Sequence, residues 1–300
     1  MDALGVCIFG KDFDSLNGNL EGPIEAYNYV LHNSITPLLM MFPSLVKLPL
    51  PRYLELKRKM KYFDSYCWDI INQAKKERDS NPTDQKPNLV SLLVNNDLED
   101  NVVRDNIGVF FLAGHETTAA TLNWAIYLLA NYPQVTQKLR QEFIQKTQNF
   151  SVPLTFEDLK DMNYLDWFVK ENMRFYPTVS VLTERWTSSD LVINDWFLPK
   201  HTSVSINIVS MLKDKSIWGD PEVFDPERWN PTRLTKEQRE CNLPFSYGPR
   251  ICIGMNFSLV EQKVFLYCLL KKFSSVKLAP GCVCEVVKSS IVHSPDVSKL

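Results

Sequence analysis

The longest regular pattern in this chain is an apolar stretch from about Val103 to Tyr132. Its length and composition predict one long helix, which at about 1.5 Å per residue would cross a small domain. A membrane span is the alternative, because roughly 20 apolar residues are enough to cross the hydrocarbon layer. His115 and Glu116 lie near the middle of the stretch, where ionisable groups are costly inside a membrane. We therefore predict a buried central helix.

Further patterns predict the rest of the architecture. The segment from Met255 to Phe273 has apolar residues on most faces, which predicts a helix that is buried on most sides. Between Pro177 and Ile208, branched apolar residues alternate with Asp, Asn and Pro, a pattern typical of short strands. These branched residues are Val179, Val181, Val192, Ile193, Val204, Ile206 and Ile208. The polar run between Arg78 and Pro87 predicts a flexible connection between helices. The predicted fold is mainly α with small β-sheets (α+β), in a single domain over residues 1–300.

Composition narrows the class of protein. Hydrophobic residues make up 45% of the chain and aromatic residues 12%, enough for a large core, which excludes disordered and fibrous classes. The net charge of −2 gives no reason to expect a nucleic-acid partner. Seven cysteines without regular spacing suit a reducing compartment better than a disulfide framework. The sequence contains no phosphate-binding glycine motif and no nucleophilic serine motif.

The most informative short motif is the loop from Phe245 to Gly254, which reads Phe-Ser-Tyr-Gly-Pro-Arg-Ile-Cys-Ile-Gly. It places Cys252 beside Arg250 and just before the apolar helix. A helix N-terminus and a neighbouring cation both favour the thiolate, which is the form that binds a metal. Gly248 and Gly254 supply backbone freedom where a side chain would obstruct a large planar ligand. Taken alone, however, a cysteine before an apolar helix is usually a small core hydrophobe.

The loop resembles the haem-ligand signature of the cytochrome P450 family, Phe-x-x-Gly-x-Arg-x-Cys-x-Gly, and every fixed position is filled. The resemblance is to the eukaryotic microsomal type, and it implies that Cys252 is the axial thiolate on haem iron. That thiolate pushes electron density toward bound oxygen so that the O–O bond breaks. The implied haem-binding residues around the ligand are Phe245, Gly248, Arg250 and Gly254. The implied cofactors are haem b and O2, with electrons from NADPH through a flavin reductase.

A second motif, Ala113-Gly114-His115-Glu116-Thr117-Thr118, lies in the predicted central helix. By resemblance it covers the distal face of the haem, where Gly114 leaves room for oxygen and contributes to cofactor binding. Glu116 and Thr117 would pass protons to the iron-bound oxygen as the catalytic pair. The alternative is that both threonines only bond back to helical carbonyls. The acid and alcohol pair also disfavours peroxide rearrangement or dehydration, which are haem-thiolate reactions without external electrons.

Further predictions concern residues with charged or titratable side chains. Glu171 and Arg174 are spaced to pair on one helix face, a pattern that alone is weak and is worth only about 0.3–0.5 kcal/mol. By resemblance, Arg228 joins them in a buried triad that fixes the cysteine loop. Arg185 stands where the family keeps a basic residue for a haem propionate. His201 replaces the usual glycine of a turn and is interpreted as an exposed turn residue.

The resemblance covers essentially the whole chain but only part of a family member. The segment from Met1 to Leu16 resembles a helix found well inside family members, so a membrane anchor and early helices are expected to precede it. The chain shows no signal peptide or anchor pattern of its own. Four prolines break the apolar segment from Ile35 to Pro51, which we expect either to dip into a membrane surface or to form a loop. The expected location of the complete protein is the cytosolic face of the endoplasmic reticulum membrane.

Two functions from different classes remain as hypotheses. The first is a haem-thiolate monooxygenase that inserts one atom of O2 into a lipophilic substrate, with NADPH-cytochrome P450 reductase as the partner. The second is a catalytically incompetent truncated form that binds haem weakly or acts as an interaction module. The expected substrate-contact segments, Val109–Ala113, Val179–Leu182 and Ser290–His293, are mostly apolar and predict a bulky lipophilic molecule.

Overall fold

A computed structural model describes residues 1–18, 21–80, 88–96, 98–281 and 292–295, together with the backbone of residues 286–288. Most of the polar run predicted as a flexible connection, residues 81–87, lies outside the described residues, as do Ser290 and Ile291 of one expected substrate-contact segment.

Helices dominate the described residues, as predicted. They are α1 (Asp2–Leu4), α2 (Pro23–Ser34), α3 (Pro37–Met41), α4 (Pro51–Ser80), α5 (Leu89–Asn95), α6 (Asp100–Asn131), α7 (Pro133–Lys146), α8 (Asn163–Phe175), α9 (Ile208–Leu212), α10 (Lys215–Trp218), α11 (Lys236–Cys241) and α12 (Met255–Lys272). A π-helical turn, Gly5–Phe9, continues α1, and short 3₁₀ helices punctuate the loops.

The strands are short and form antiparallel two-stranded sheets. They are β1 (Arg185–Trp186), β2 (Leu191–Ile193), β3 (Trp196–Leu198), β4 (Ser203–Val204), β5 (Val286–Lys288) and β6 (His293–Pro295). Among the described residues, β1 pairs with β4, β2 with β3 and β5 with β6. The predicted mainly helical fold with small sheets is therefore confirmed.

The strand prediction between Pro177 and Ile208 is confirmed for Val192, Ile193 and Val204 and wrong for the other branched residues. Val179 and Ile206 lie outside the strands, and Val181 forms only an isolated bridge with Asn207. Ile208 begins helix α9 instead of ending a strand, because the Asn207 side chain accepts a hydrogen bond from the Ser210 amide and caps the helix. The local cap thus overrides the strand preference of a branched residue.

The long helix predicted from the apolar stretch is confirmed as α6. Its buried residues recur at the four-residue spacing of one helix face, at Val103, Ile107 and Phe111. No helix within the described part of the chain is long and apolar enough to span a membrane.

The described residues form two compact units, Met1–Glu116 and Thr117–Leu300, and the boundary falls inside α6. In the first unit, α2 packs along α4, and aromatic rings gather around the fully buried Phe111. Its ring stacks on Phe9 at 4.3 Å and meets Phe63 edge-on at 5.0 Å between ring centroids. The prediction of a single domain over residues 1–300 stays a prediction.

The second unit is built around α7, α8 and α12, together with the last turns of α6. Its core is apolar and includes Leu128, Leu139, Phe143, Leu165, Phe168, Leu266 and Leu270. Helix α12 is less buried than its composition predicts, because only Gln262, Leu266, Tyr267 and Leu270 are fully covered. Its other apolar residues stay partly exposed, with Val264 at 41% exposure. This core holds the start of α12, and therefore the preceding cysteine loop, in the second unit.

Candidate functional site

The cysteine loop is closed by backbone hydrogen bonds. The Cys252 amide donates to the Phe245 carbonyl at 2.9 Å, and the Ile251 amide donates to the Gly248 carbonyl at 3.0 Å. A short 3₁₀ turn, Gly248–Arg250, lies between these contacts. Gly248 has φ +80°, and an added Cβ would meet nothing within 4 Å. Glycine is therefore required at this position by backbone conformation rather than by space.

Cys252 is exposed, so the alternative of a small core hydrophobe is wrong for this residue. The side chains that flank it are apolar and also exposed: Tyr247 at 81%, Ile251 at 43% and Ile253 at 78%. A Cβ added at Gly254 would lie 3.9 Å from the Cys252 Sγ, so that side of the sulfur is kept clear of a neighbouring side chain. An exposed thiol surrounded by exposed apolar side chains is unusual unless a ligand covers it.

This donor set fits haem. The group needs one thiolate ligand, an apolar surface against the porphyrin and cations for its propionates. The loop presents Cys252 among apolar side chains, and Arg250 is exposed two residues away. Phe245 is half-buried and packs against the core of the second unit, which anchors the start of the loop. Arg185 is exposed on β1, and its guanidinium donates to the Thr183 carbonyl at 3.0 Å.

Gly114 lies in α6 and packs tightly within the first unit. A Cβ added there would lie 2.5 Å from Cδ1 of Leu4, a side chain that is only 2% exposed. The space beside the missing side chain is thus filled by Leu4. The packing of Leu4 is therefore enough to explain why position 114 is a glycine. The role of Gly114 in leaving room for oxygen stays a prediction.

Glu116 ends the first unit beside two histidines. Its carboxylate Oε1 lies 3.3 Å from Nδ1 of His115. This contact holds the pKa of Glu116 below its ordinary value, although partial burial opposes the shift; His32 lowers the pKa further. The carboxylate form is therefore favoured.

The threonines of the motif belong to the second unit. Thr118 is buried, and its hydroxyl contacts the Ser258 hydroxyl on α12 at 3.0 Å. Thr121 makes a back-bond to a helical carbonyl, because its hydroxyl donates to the Thr117 carbonyl at 2.8 Å. The alternative in which both threonines only bond back to the helix therefore fails for Thr118. Ser258 lies on α12, six residues after Cys252. The contact between Thr118 and Ser258 therefore connects α6 directly with the helix that follows the cysteine loop.

The structure brings Glu171, Arg174 and Arg228 together. Glu171 and Arg174 are both 0% exposed, and the guanidinium donates to both carboxylate oxygens at 2.9 and 2.8 Å. Nε of Arg228 lies 3.6 Å from Glu171 Oε1. The sequence reasoning missed two more donors to this carboxylate: Trp229 Nε1 at 2.9 Å and the Asp225 amide at 3.1 Å. The motif Pro-Glu-Arg-Trp contained the signal, because a buried tryptophan usually needs an acceptor for its N–H.

The two arginines also bind backbone carbonyls. Arg174 reaches Leu212 and Pro221 at 3.2 and 2.9 Å, and Arg228 reaches Trp218 at 2.9 Å and Asp220 at 3.0 Å. These hydrogen bonds join the two arginines, and through Arg174 helix α8, directly to the backbone of residues 212–223. Fixation of the cysteine loop by the triad stays a prediction.

His201 has the conformation expected of a turn. It is exposed, lies in a turn before β4 and has φ +65°, a region that glycine adopts more readily. The interpretation of His201 as an exposed turn residue is confirmed.

Comparison with known proteins decides the family. The model of the family described as Cytochrome P450 matches residues 1–295. The chain belongs to the cytochrome P450 family. Among curated relatives of this cytochrome P450, Cytochrome P450 3A13 of Mus musculus is 32% identical over 286 residues, which are 91% of this chain and 56% of the relative. Cytochrome P450 4V2 of Mus musculus is 36% identical over 178 residues, or 59% of this chain and 34% of the relative.

A plant relative extends the comparison. Protein LUTEIN DEFICIENT 5, chloroplastic, of Arabidopsis thaliana is 28% identical over 318 aligned residues. The match covers 100% of this cytochrome P450 chain and 53% of the relative. The chain spans about half the length of the curated relatives it matches. Family membership therefore rests on nearly the whole of this chain and on part of each relative.

Proposed function

We propose that this protein is a haem-thiolate monooxygenase that inserts one atom of O2 into a lipophilic organic substrate. The single observation that carries the proposal is the exposed Cys252 in a closed loop whose neighbouring side chains are apolar and uncovered. The contact between Thr118 and Ser258 supports it, because it connects the helix of the second motif with the helix that begins after the loop.

Six residues would hold the haem. Cys252 would ligate the iron, Arg250 and Arg185 would pair with the propionates, and Phe245, Gly248 and Gly254 would shape the loop around the ligand. When bound, haem supplies the iron chemistry that activates dioxygen. The triad of Glu171, Arg174 and Arg228 would act structurally.

Two residues would handle protons. Glu116 holds a carboxylate beside His115, and a carboxylate in this setting can take a proton from solvent and release it inward. Thr117 would supply a hydroxyl that forms a hydrogen bond with the group that receives the proton and so holds it in place. Gly114 would leave the helix surface open for a small ligand.

The electron donor we propose is NADPH-cytochrome P450 reductase, because the residues assigned here supply ligation and protons but no electrons. We also propose attachment to the cytosolic face of the endoplasmic reticulum membrane through Ile35–Pro51. The prolines divide this segment into α3 and a 3₁₀ turn, and six of its apolar side chains are exposed: Leu38, Met40, Met41, Phe42, Leu48 and Leu50. Exposed apolar side chains at this density suit the interface of a bilayer. One relative is named as chloroplastic, so a plastid membrane is the other outcome of a localisation experiment.

The first test is spectroscopic. The chain is reconstituted with haem, reduced and exposed to carbon monoxide, and we expect the absorption of a thiolate-ligated haem. Cys252→Ser should abolish this signature, whereas Cys268→Ser, at another exposed cysteine, should leave it unchanged. A thiolate spectrum that survives Cys252→Ser would remove Cys252 as the ligand.

The second test concerns proton delivery. Thr117→Ala should keep the thiolate spectrum but release reduced oxygen as peroxide, so that less product forms per NADPH consumed. Thr118→Ala is the neighbouring control, and it should lower stability rather than coupling because its hydroxyl contacts Ser258. Full coupling in Thr117→Ala would refute the role of its hydroxyl.

The alternative proposal is that the chain does not catalyse a reaction and either binds haem weakly or acts as an interaction module. The same carbon monoxide experiment separates the two functions, because this second function predicts no thiolate spectrum or only a weak one.

A further inference from the structure

A basic segment with two adjacent serines begins at the end of α12, in the second unit. Residues 271–277 read Lys-Lys-Phe-Ser-Ser-Val-Lys and include no acidic residue. Ser274 and Ser275 are exposed, and so are the three lysines. Lysines grouped around a serine are a charge pattern by which some protein kinases recognise their substrates. The haem site proposed above does not use this segment.

The backbone leaves the helix just before the serines. Lys272 is the last residue of α12, and Phe273 already has extended dihedral angles, with φ −117° and ψ 130°. Within the described part of the chain, residues 274–279 belong to no helix or strand and form no hydrogen bond between backbone groups. A kinase binds the residues around its target serine in an extended form. This stretch can adopt that form without breaking backbone hydrogen bonds of its own.

Contacts on either side hold the two serines at the surface. The Arg140 guanidinium donates to the Phe273 carbonyl at 3.1 Å, and Val276 packs against the apolar core of the second unit. Neither serine hydroxyl forms a hydrogen bond with another described residue. Both hydroxyls are therefore accessible, and other features must decide which of them a kinase would select.

Lysines at fixed offsets distinguish the two serines. Ser275 has Lys272 three residues before it and Lys277 two residues after it. Ser274 has Lys271 at the first of these offsets but an apolar valine at the second. A kinase whose cleft carries acidic side chains on both sides of the target binds a cation at each offset. The spacing therefore favours Ser275.

The positions of the two upstream lysines agree with this choice. Nζ of Lys272 lies 5.6 Å from the centroid of the Phe273 ring, so its charge lies on the side of the exposed segment. Nζ of Lys271 lies 5.8 Å from the centroid of the Tyr267 ring, which belongs to α12. To bring Lys271 into an extended peptide, the last turn of α12 would have to open. Lys272, as the final residue of the helix, needs no such opening.

We propose that Ser275 is a phosphorylation site for a basophilic protein kinase that uses MgATP. Transfer forms a bond between Ser275 Oγ and the γ-phosphorus of ATP, breaks the bond from that phosphorus to the β,γ-bridging oxygen and releases ADP. The hydroxyl proton passes to a carboxylate of the kinase. The phosphate carries about two negative charges at neutral pH. It would therefore offset most of the positive charge of the three lysines in residues 271–277.

The test incubates the 300-residue chain with MgATP and the catalytic fragment of protein kinase C, a kinase that selects serines between basic residues. Fragmentation mass spectrometry assigns the phosphate to individual serines. We expect Ser275 to be labelled, Ser275→Ala to remove the label from this segment and Ser274→Ala to retain it. Lys272→Gln should slow the labelling about tenfold, the effect of one lost charge-assisted hydrogen bond.

Lys271→Gln is the matched control, because Lys271 is also exposed and is the neighbouring residue on the same helix turn. It should leave the rate at Ser275 unchanged, and circular dichroism checks that every variant folds like the parent chain. The proposal is overturned if Ser275 takes up no phosphate, if Ser274→Ala abolishes the label, or if Lys271→Gln slows it as much as Lys272→Gln. The carbon monoxide spectrum does not enter these outcomes, so this proposal and the haem-thiolate proposal fail separately.

Discussion

Replacing the glycine at position 114 offers a direct measurement of packing in the first unit. An alanine Cβ would lie 2.5 Å from Cδ1 of Leu4, well inside van der Waals contact. Leu4 is 2% exposed, so its side chain has little room to move away. Overpacking of this kind costs about 1–3 kcal/mol, and it outweighs the gain of about 1 kcal/mol that alanine brings to a helix interior.

Gly108 supplies the matched control on the same helix. An added Cβ there meets nothing within 4 Å, so Gly108→Ala should stabilise the protein by about 1 kcal/mol through helix propensity alone. The helix-propensity gain is common to both variants, so they should differ by the overpacking cost alone, about 1–3 kcal/mol in the free energy of unfolding. The assay is urea denaturation monitored by circular dichroism. The midpoints are compared only if the unfolding free energy depends on urea concentration with the same slope in all variants.

A double-variant cycle assigns the difference to one contact. In a Leu4→Ala background the obstacle is gone, so Gly114→Ala should now stabilise the protein as Gly108→Ala does. Equal stability of Gly114→Ala and Gly108→Ala in the unmodified background would refute the reasoning. So would a destabilising Gly114→Ala that persists after Leu4→Ala.

Two further predictions concern buried groups. Glu171→Gln should lower the free energy of unfolding by about 3–5 kcal/mol, because it leaves the fully buried Arg174 without its counter-charge. Glu157→Gln, which breaks an exposed pair of the same spacing, should leave the denaturation midpoint nearly unchanged, and equal effects would contradict the argument from burial. Burial raises the pKa of the Cys67 thiol to about 12, so at pH 8 iodoacetamide should label it far more slowly than the exposed Cys268. Mass spectrometry of the labelled peptides measures both rates, and comparable labelling of the native protein would contradict the assigned burial.

The sequence alone determined the features that depend on neighbours along the chain. The apolar stretch around Gly114 specified α6, because helical periodicity is a local property. The cysteine loop was recognisable because its glycines and its cysteine occupy fixed spacings that backbone conformation requires. The mainly helical class with small sheets followed from the same local patterns.

Tertiary structure decided which side chains meet. The spacing of Glu171 and Arg174 gave a pair, but only the fold shows it fully buried and joined by Trp229 and the Asp225 amide. Ile208 looked like a strand residue until the Asn207 cap made it the start of a helix.

The fold also decided burial. The apolar composition of α12 did not show which of its faces would be covered, because burial depends on the position of α7 and α8. Cys252 had a local sequence suited either to a core hydrophobe or to a ligand, and only the structure shows that it is exposed and therefore not in the core. The sequence therefore determined the helices and the motif of the cysteine loop, because both are encoded in neighbouring residues. Burial and long-range contacts were decided by tertiary structure, because they depend on residues far apart in the chain.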